Sequence, residues 1–169
     1  KAIQSHLLSG GDNVFDYLIS LSSIDMKTNH FNQINRGILS NIVELLRANA
    51  QYSVKIITEH FHHLHQDIVD VLMKVDYERE MYIYLDLLVS RQGNMDESTR
   101  RSIELNEDLL FDYVRLMCKF ESDRVRDYLS KHHQISRVDE LLKICSHIPS
   151  ARYLLLEKKG EVFAALGYM

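Results

Sequence analysis

Four histidines stand close together in the segment His60-Phe-His-His-Leu-His65. On one continuous helix His60 would face the same way as His63, and His62 the same way as His65. Neutral imidazole is a good zinc ligand, so this spacing is compatible with a metal site. No cysteine lies nearby, however, and the sequence lacks the His-Glu-x-x-His pattern of zinc hydrolases. We therefore predict a solvated turn between two helices and no metal ligand. A helical metal-dependent hydrolase built on His60–His65 is the distant alternative.

Carboxylates and thiols are the other side chains that could carry chemistry. Cys118 and Cys145 each belong to an apolar helical face, which predicts inert buried thiols. Four acidic residues are close enough in sequence to suggest an acid–base pair: Glu104, Glu107, Asp108 and Asp112. They lie opposite the apolar stripe that runs from Leu109 to Phe120, so we predict a solvated helix face. The pattern thus assigns no catalytic, cofactor-binding or metal-binding residue, and it favours a protein that is not an enzyme.

Composition narrows the classes of partner. The chain has 169 residues and a formal charge of -4. Proteins that bind nucleic acid usually carry a clear basic excess, so we expect no nucleic-acid ligand. The two cysteines form no Cys-x-x-Cys pair, which favours a reducing compartment. Apolar stretches such as Met81 to Val89 are short, and Asp86 interrupts that one, so no transmembrane segment is expected.

Apolar residues recur at helical spacing along nearly the whole chain, and no alternating strand pattern appears. The clearest stripe consists of Ile38, Leu39, Ile42, Leu45 and Leu46. Further stripes begin at Val14, Val54, Ile68, Met81, Leu109, Val125 and Val138. This periodicity predicts an all-α fold.

Several residues are typical of helix ends. Ser136 with Asp139 resembles a capping box, and Pro149 suits the first turn of a helix. Lys158-Lys159-Gly160 predicts a helix C-terminus, where cations favour the negative end of the dipole and Gly adopts a left-handed conformation. The segment 90–98, with Gly93, Asn94 and Asp96, is the best candidate for a loop.

A degenerate repeat runs through the helical pattern. Its anchors Val54, Met81, Val125 and Val162 lie 27, 44 and 37 residues apart. Short helices in series at such spacing predict an α-solenoid of stacked antiparallel helix pairs, in preference to an irregular bundle. We expect residues 1–169 to form a single solenoid segment. The chain stops at Met169 inside a helical pattern, so we also expect it to be a fragment of a longer protein.

The last third of the chain carries a family resemblance. Val114 to Leu129, with a leucine-rich helix, a short turn and a Val-x-x-x-Leu helix, resembles the clathrin heavy-chain repeat. Leu141-Leu-Lys-Ile-Cys145, followed by Ala151 to Leu166 with its Lys-x-Gly turn, is similar to the repeat of vacuolar protein sorting tethering subunits. The resemblance is strong over residues 105–169, weaker over 36–90 and slight over 1–35.

This resemblance implies a non-catalytic scaffold in a multisubunit endosomal tethering complex of the CORVET type, which acts in vesicle-mediated protein transport and membrane fusion. The implied partners are the other tethering subunits, with an early-endosomal Rab GTPase bound through other parts of the full protein. No cofactor is implied. The implied location is cytoplasmic and peripheral on endosomal membranes, through those partners. Another clathrin-repeat solenoid, either a HOPS subunit or a clathrin-type coat protein, is the alternative.

Two expectations concern packing. Tyr52, Tyr82 and Tyr84 suit either a contact surface or helix–helix packing, and the sequence leaves both open. Leu154 is expected to lie in the core between helices, so that Leu154→Asp would bury a charge. By contrast, Glu107→Ala or Asp112→Ala should be tolerated, since surface changes usually cost little.

Overall fold

The computed structural model describes residues 2–8, 12–22, 29–132, 137–161 and 167. These residues form eleven α-helices and several short 3₁₀ turns, and none of the described residues lies in a β-strand. The predicted all-α class is therefore confirmed for this part of the chain. No described helix is both long enough and apolar enough to span a membrane. The chain divides into two compact units, Lys1–Glu104 and Leu105–Met169.

Seven helices belong to the first unit. They are α1 Ala2–Leu8, α2 Asp12–Ser22, α3 Asn29–Ser40, α4 Ile42–His60, α5 His65–Leu72, α6 Glu78–Arg91 and α7 Glu97–Ser102. Helix α4 is the longest and contacts both α2 and α6. An ion pair joins α4 to α6, in which Arg47 Nε donates to Glu80 Oε1 at 2.7 Å, with Glu80 almost buried. These contacts make α4 the central helix of the unit.

The predicted stripes form most of the core of the first unit. Val14, Phe15 and Leu18 are buried on α2, but Ile19, the last residue of the stripe that begins at Val14, is 41% exposed, and Leu39 of α3 is only half-buried. Adjacent residues on a helix point about 100° apart, so Ile19 points away from the direction in which Leu18 is buried. The fully buried members are Ile38, Ile42, Leu45, Val54, Phe61, Ile68, Leu72, Met81, Leu85 and Leu88.

The structure shows which of the three tyrosines pack between helices and which is exposed. Tyr84 is fully buried and Tyr82 nearly so, and both pack within the first unit. Tyr52 is 46% exposed, and its ring lies 5.5 Å from that of Phe15. Two of the three therefore serve packing.

Helix α4 contains a break that the stripe Ile38 to Leu46 does not reveal. Asn49 has extended backbone angles, φ -159° and ψ 96°, inside the helix. Its side-chain Oδ1 accepts a hydrogen bond from the Tyr52 amide at 3.0 Å, which is the bond an N-cap residue makes. Ser53 Oγ donates to the backbone oxygens of Leu45 and Asn49, both at 2.7 Å. Asn49 therefore ends the first half of α4 and caps the second.

The predicted loop at residues 90–98 contains the connection between α6 and α7. Helix α6 continues to Arg91, a 3₁₀ turn covers Gln92–Asn94, and α7 begins at Glu97. Asp96 caps α7, with Oδ1 accepting from the Thr99 amide at 2.9 Å and Oδ2 from the Thr99 hydroxyl at 2.7 Å. These bonds lower the pKa of the Asp96 carboxyl. The loop prediction therefore holds for residues 92–96, whereas residues 90–91 belong to α6 and residues 97–98 to α7, whose start Asp96 caps.

Four helices belong to the second unit: α8 Glu107–Phe120, α9 Val125–Lys131, α10 Val138–Ile144 and α11 Pro149–Lys159. Asn106 caps α8 through a 2.9 Å bond from the Leu109 amide to Oδ1. Helix α11 contacts both α9 and α10, and α10 contacts α8. Buried apolar side chains include Tyr113, Leu116, Met117, Val125, Leu129, Leu141, Ala151 and Leu155.

Helix α11 has both predicted ends, but its core position differs from the prediction. Pro149 occupies the first turn, and Gly160 follows the helix in a left-handed conformation with φ +84°. Leu154 is only half-buried, whereas Leu155 is fully buried. The expectation for Leu154 was therefore wrong by one residue, or about 100° around the helix. Ser136 and Val162, which carried the predicted capping box and the last repeat anchor, lie outside the described residues.

Candidate functional site

The histidine segment lies at the junction of two helices, as predicted. Helix α4 ends at His60, a 3₁₀ turn covers His62–Leu64, and α5 begins at His65. The segment does not form one continuous helix, so the i, i+3 pairs that would share a face do not arise. Among the described residues, no three His, Cys, Asp or Glu side chains are grouped so that they could hold a metal ion.

One histidine of this segment is not solvated. His65 is 3% exposed, and its Nδ1 lies 3.1 Å from the Tyr84 hydroxyl on α6. The two rings are stacked at a centroid distance of 5.9 Å. Burial lowers the pKa of His65, and a backbone contact with Glu104 opposes this shift. Burial also raises the pKa of Tyr84 well above its ordinary value. Both side chains are thus neutral and join α5 to α6 around neutral pH.

His63 is bound less deeply than His65. Its ring stacks on Phe31 at 5.1 Å, and Nε2 lies 3.4 Å from Asn35 Oδ1. Partial burial lowers its pKa, followed by the effect of neighbouring His62. The segment therefore packs α3, α5 and α6 around the junction, and its imidazoles contact protein groups of the first unit.

The buried histidine predicts an acid-sensitive first unit. A histidine whose folded pKa lies below its unfolded pKa, about 6.5, binds more protons when unfolded, so stability falls as pH drops below that value. We expect the unfolding midpoint in denaturant to be lower at pH 5 than at pH 7. His65→Asn, whose amide can still reach Tyr84, should reduce this difference. His30→Asn, at an exposed position of α3, should leave it unchanged. An equal pH dependence in wild type and His65→Asn would contradict the expectation.

The four acidic residues take separate roles. Glu104, Glu107 and Asp108 are exposed, as predicted for a solvated face, whereas Asp112 is half-buried. Asp112 Oδ1 accepts from Arg115 Nε at 2.9 Å along the same helix. The four carboxylates therefore do not form the isolated, desolvated pair that general acid–base catalysis uses.

Asp108 belongs to a cluster around Arg137 that the sequence did not indicate. Arg137 has a left-handed backbone, with φ 57°, immediately before α10. Its guanidinium donates to Asp108 Oδ1 at 2.7 Å and to both Glu140 oxygens at 2.6 and 2.8 Å. It also lies 4.0 Å above the Phe111 ring. The Arg137 bonds lower the pKa of Glu140, and the cluster ties the start of α10 to α8.

A polar depression of about 190 Å³ lies in the first unit. Its lining residues are Thr58, Glu59, Arg91, Asn94, Met95, Asp96 and Thr99. Glu59 and Arg91 pair across it at 3.6 Å, and Asp96 bonds Thr99. Each of its three charged groups therefore has a partner within the lining.

The two cysteines, far apart in sequence, are in contact. Cys118 near the end of α8 and Cys145 at the end of α10 have their Sγ atoms 3.5 Å apart. Both thiols are free and buried, as predicted, with Cys118 6% exposed and Cys145 0% exposed. The His147 ring places Nε2 3.3 Å from the Cys118 carbonyl oxygen. No pattern in the sequence signals this pair, because 27 residues separate its members.

Comparisons of this chain with protein-family models, with curated proteins and with solved structures find no match.

Proposed function

We propose that this chain is a non-catalytic scaffold segment of a multisubunit endosomal tethering complex, CORVET-like, in vesicle-mediated protein transport and membrane fusion. Its helices stack as antiparallel pairs of an α-solenoid of the clathrin heavy-chain repeat type. The member proposed is the CORVET subunit named vacuolar protein sorting-associated protein eight. The chain works at the cytoplasmic face of endosomal membranes, held there through the other tethering subunits, and a Rab GTPase binds other parts of the full protein.

The proposal rests mainly on the packing of α11, which belongs to the segment that resembles the clathrin heavy-chain repeat. Helix α11 begins at Pro149, ends before Gly160 and buries Ala151, Leu155 and Leu156. Its Lys158 Nζ donates to the backbone oxygens of Leu129 and His132 at 2.7 and 2.8 Å, which satisfies the open C-terminus of α9. The motif therefore serves helix–helix packing, which is the role that a repeat unit has in a solenoid.

Commitment of the reactive side chains to packing also supports a scaffold. His65 bonds Tyr84, Asp108 bonds Arg137, and the two thiols contact each other. A general acid or base must reach a proton on a bound substrate. None of these groups lines the polar depression beside α4 and α7, where Glu59 pairs with Arg91 and Asp96 bonds Thr99.

The test uses the full-length protein that contains this segment, tagged and purified from its own cells. We expect tethering-complex subunits to co-purify and the tagged protein to localise to early endosomes. Leu155→Asp, which breaks the α11 core, should abolish that association. Glu107→Ala changes an exposed side chain and should preserve it.

Other results would favour the alternatives. Co-purification of clathrin light chains, or of HOPS subunits alone, would replace the CORVET-type assignment by a coat protein or by the HOPS subunit. A metal-dependent hydrolase would be favoured by stoichiometric zinc in the purified protein that is lost in His60→Ala with His63→Ala. Association that survives complete unfolding of the second unit would contradict a scaffold role for this segment.

A further inference from the structure

The contact between Cys118 and Cys145 joins the ends of two helices of the second unit. Cys118 lies in the last turn of α8, and Cys145 is the residue at which α10 ends. A disulfide needs an S–S distance of about 2.05 Å, so the 3.5 Å between these sulfurs leaves about 1.5 Å to close. Because both cysteines lie at helix ends, we expect rotation about their χ1 bonds to close this gap.

The surroundings of the two thiols differ, which gives them different roles. Cys118 keeps 6% of its surface exposed, whereas Cys145 is fully enclosed. The hydrogen bond from Cys145 lowers the pKa of Cys118, whereas the same contact and burial raise the pKa of Cys145. The thiolate is the form that attacks oxidants, so Cys118 is the sulfur that reacts first with peroxide.

We propose that Cys118 and Cys145 form a reversible oxidation site that peroxides convert into an intramolecular disulfide. The Cys118 thiolate attacks one peroxide oxygen; the S–O bond forms, the O–O bond breaks, and the second oxygen leaves as water after taking a proton. Cys145 then attacks the Cys118 sulfenic acid; the S–S bond forms, the S–O bond breaks, and the hydroxyl leaves as water with the Cys145 proton. Two thiols and one hydrogen peroxide thus yield one disulfide and two waters.

The disulfide would lock the end of α8 to the end of α10. His147, which precedes α11 by two residues, also places its Nε2 close to the Cys118 carbonyl oxygen. The closed loop constrains the unfolded chain, so the oxidised protein is the more stable form. In a reducing compartment the pair stays as two thiols until peroxide rises, and a dithiol reductant reverses the link.

The experiment treats the reduced, folded chain with a small excess of hydrogen peroxide, then denatures it and labels the remaining thiols with N-ethylmaleimide. We expect a mass loss of two hydrogen atoms, no label on either cysteine, and a cross-linked peptide containing Cys118 and Cys145. Dithiothreitol should restore both labels. The thermal midpoint of the oxidised chain should rise by roughly 5 °C or more over the reduced chain.

Single-cysteine variants test the order of the two steps. Cys145→Ser should accumulate a sulfenic acid at Cys118 that dimedone traps, and Cys118→Ser should give much less adduct at Cys145. Circular dichroism of each variant verifies that it is folded, and Cys145→Ala replaces Cys145→Ser if the hydroxyl unfolds the chain. The proposal is overturned if folded protein gives only intermolecular dimers or sulfinic acid, or if the disulfide forms only after denaturation.

Discussion

Replacing Leu155 with Asp is expected to lower the free energy of unfolding by about 3–5 kcal/mol, which is typical of a buried charge without a partner. Leu155 is 0% exposed, and α11 contacts both α9 and α10. The carboxylate would therefore lose its hydration where three helices meet. Since small domains are stable by only about 5–15 kcal/mol, this loss would remove a large part of the stability of the second unit. Denaturant titration followed by circular dichroism measures the loss, and hydrogen exchange locates it in residues 105–161.

The matched control is the same substitution one residue earlier. Leu154 is half-buried, so its new carboxylate could turn toward water, and we expect Leu154→Asp to cost about 1 kcal/mol. Equal losses in the two variants would show that α11 is rotated from the position described, with both leucines in the core.

Truncating Tyr84 to Ala is expected to destabilise the first unit by about 3–5 kcal/mol, the usual cost of removing a buried aromatic ring. Tyr84 is 0% exposed on α6, and its ring stacks on His65 of α5. Tyr84→Phe keeps the ring and removes only the hydroxyl that faces His65 Nδ1 at 3.1 Å. That variant should cost about 1–3 kcal/mol, because a buried imidazole nitrogen loses its partner. Both values come from the denaturant midpoint at pH 7.

Tyr52, an exposed tyrosine of the same unit, tests whether the stability cost of losing a tyrosine ring depends on its burial. Tyr52 is 46% exposed, and its ring lies against Phe15 and beneath Lys55 Nζ at 5.9 Å. We expect Tyr52→Ala to cost less than about 1.5 kcal/mol, since the ring loses mainly one aromatic contact. A loss in Tyr52→Ala as large as that in Tyr84→Ala would contradict the burial on which the expectation rests.

Local sequence rules accounted for helix ends that depend on a single residue's own backbone. Pro149 begins α11 because its missing amide hydrogen costs nothing in a first turn. Gly160 ends it because a left-handed residue without Cβ carries no steric penalty. The same rules placed the connection between α6 and α7 within residues 90–98, but they did not indicate that Asp96 caps a short helix there.

The sequence by itself determined the all-α class, because apolar residues at a period near 3.6 can be buried only by helices. It also determined that the histidine segment lies between two helices and that both cysteines are buried. These properties depend on periodicity and on nearest neighbours along the chain.

Only the tertiary structure decided which members of each stripe reach the core and which polar groups meet. Leu155 is buried where the sequence predicted Leu154, and His65 is buried against Tyr84 where the sequence predicted a solvated turn. Arg137 bonds Asp108, which is 29 positions away in the sequence. The two thiols come within 3.5 Å for the same reason. Such contacts depend on how each helix is rotated about its axis and on the angle at which packed helices cross. A shift of one residue along a helix turns the side chain by about 100° and so changes its neighbours. Periodicity specifies that a face is buried, but not the side chain that it meets.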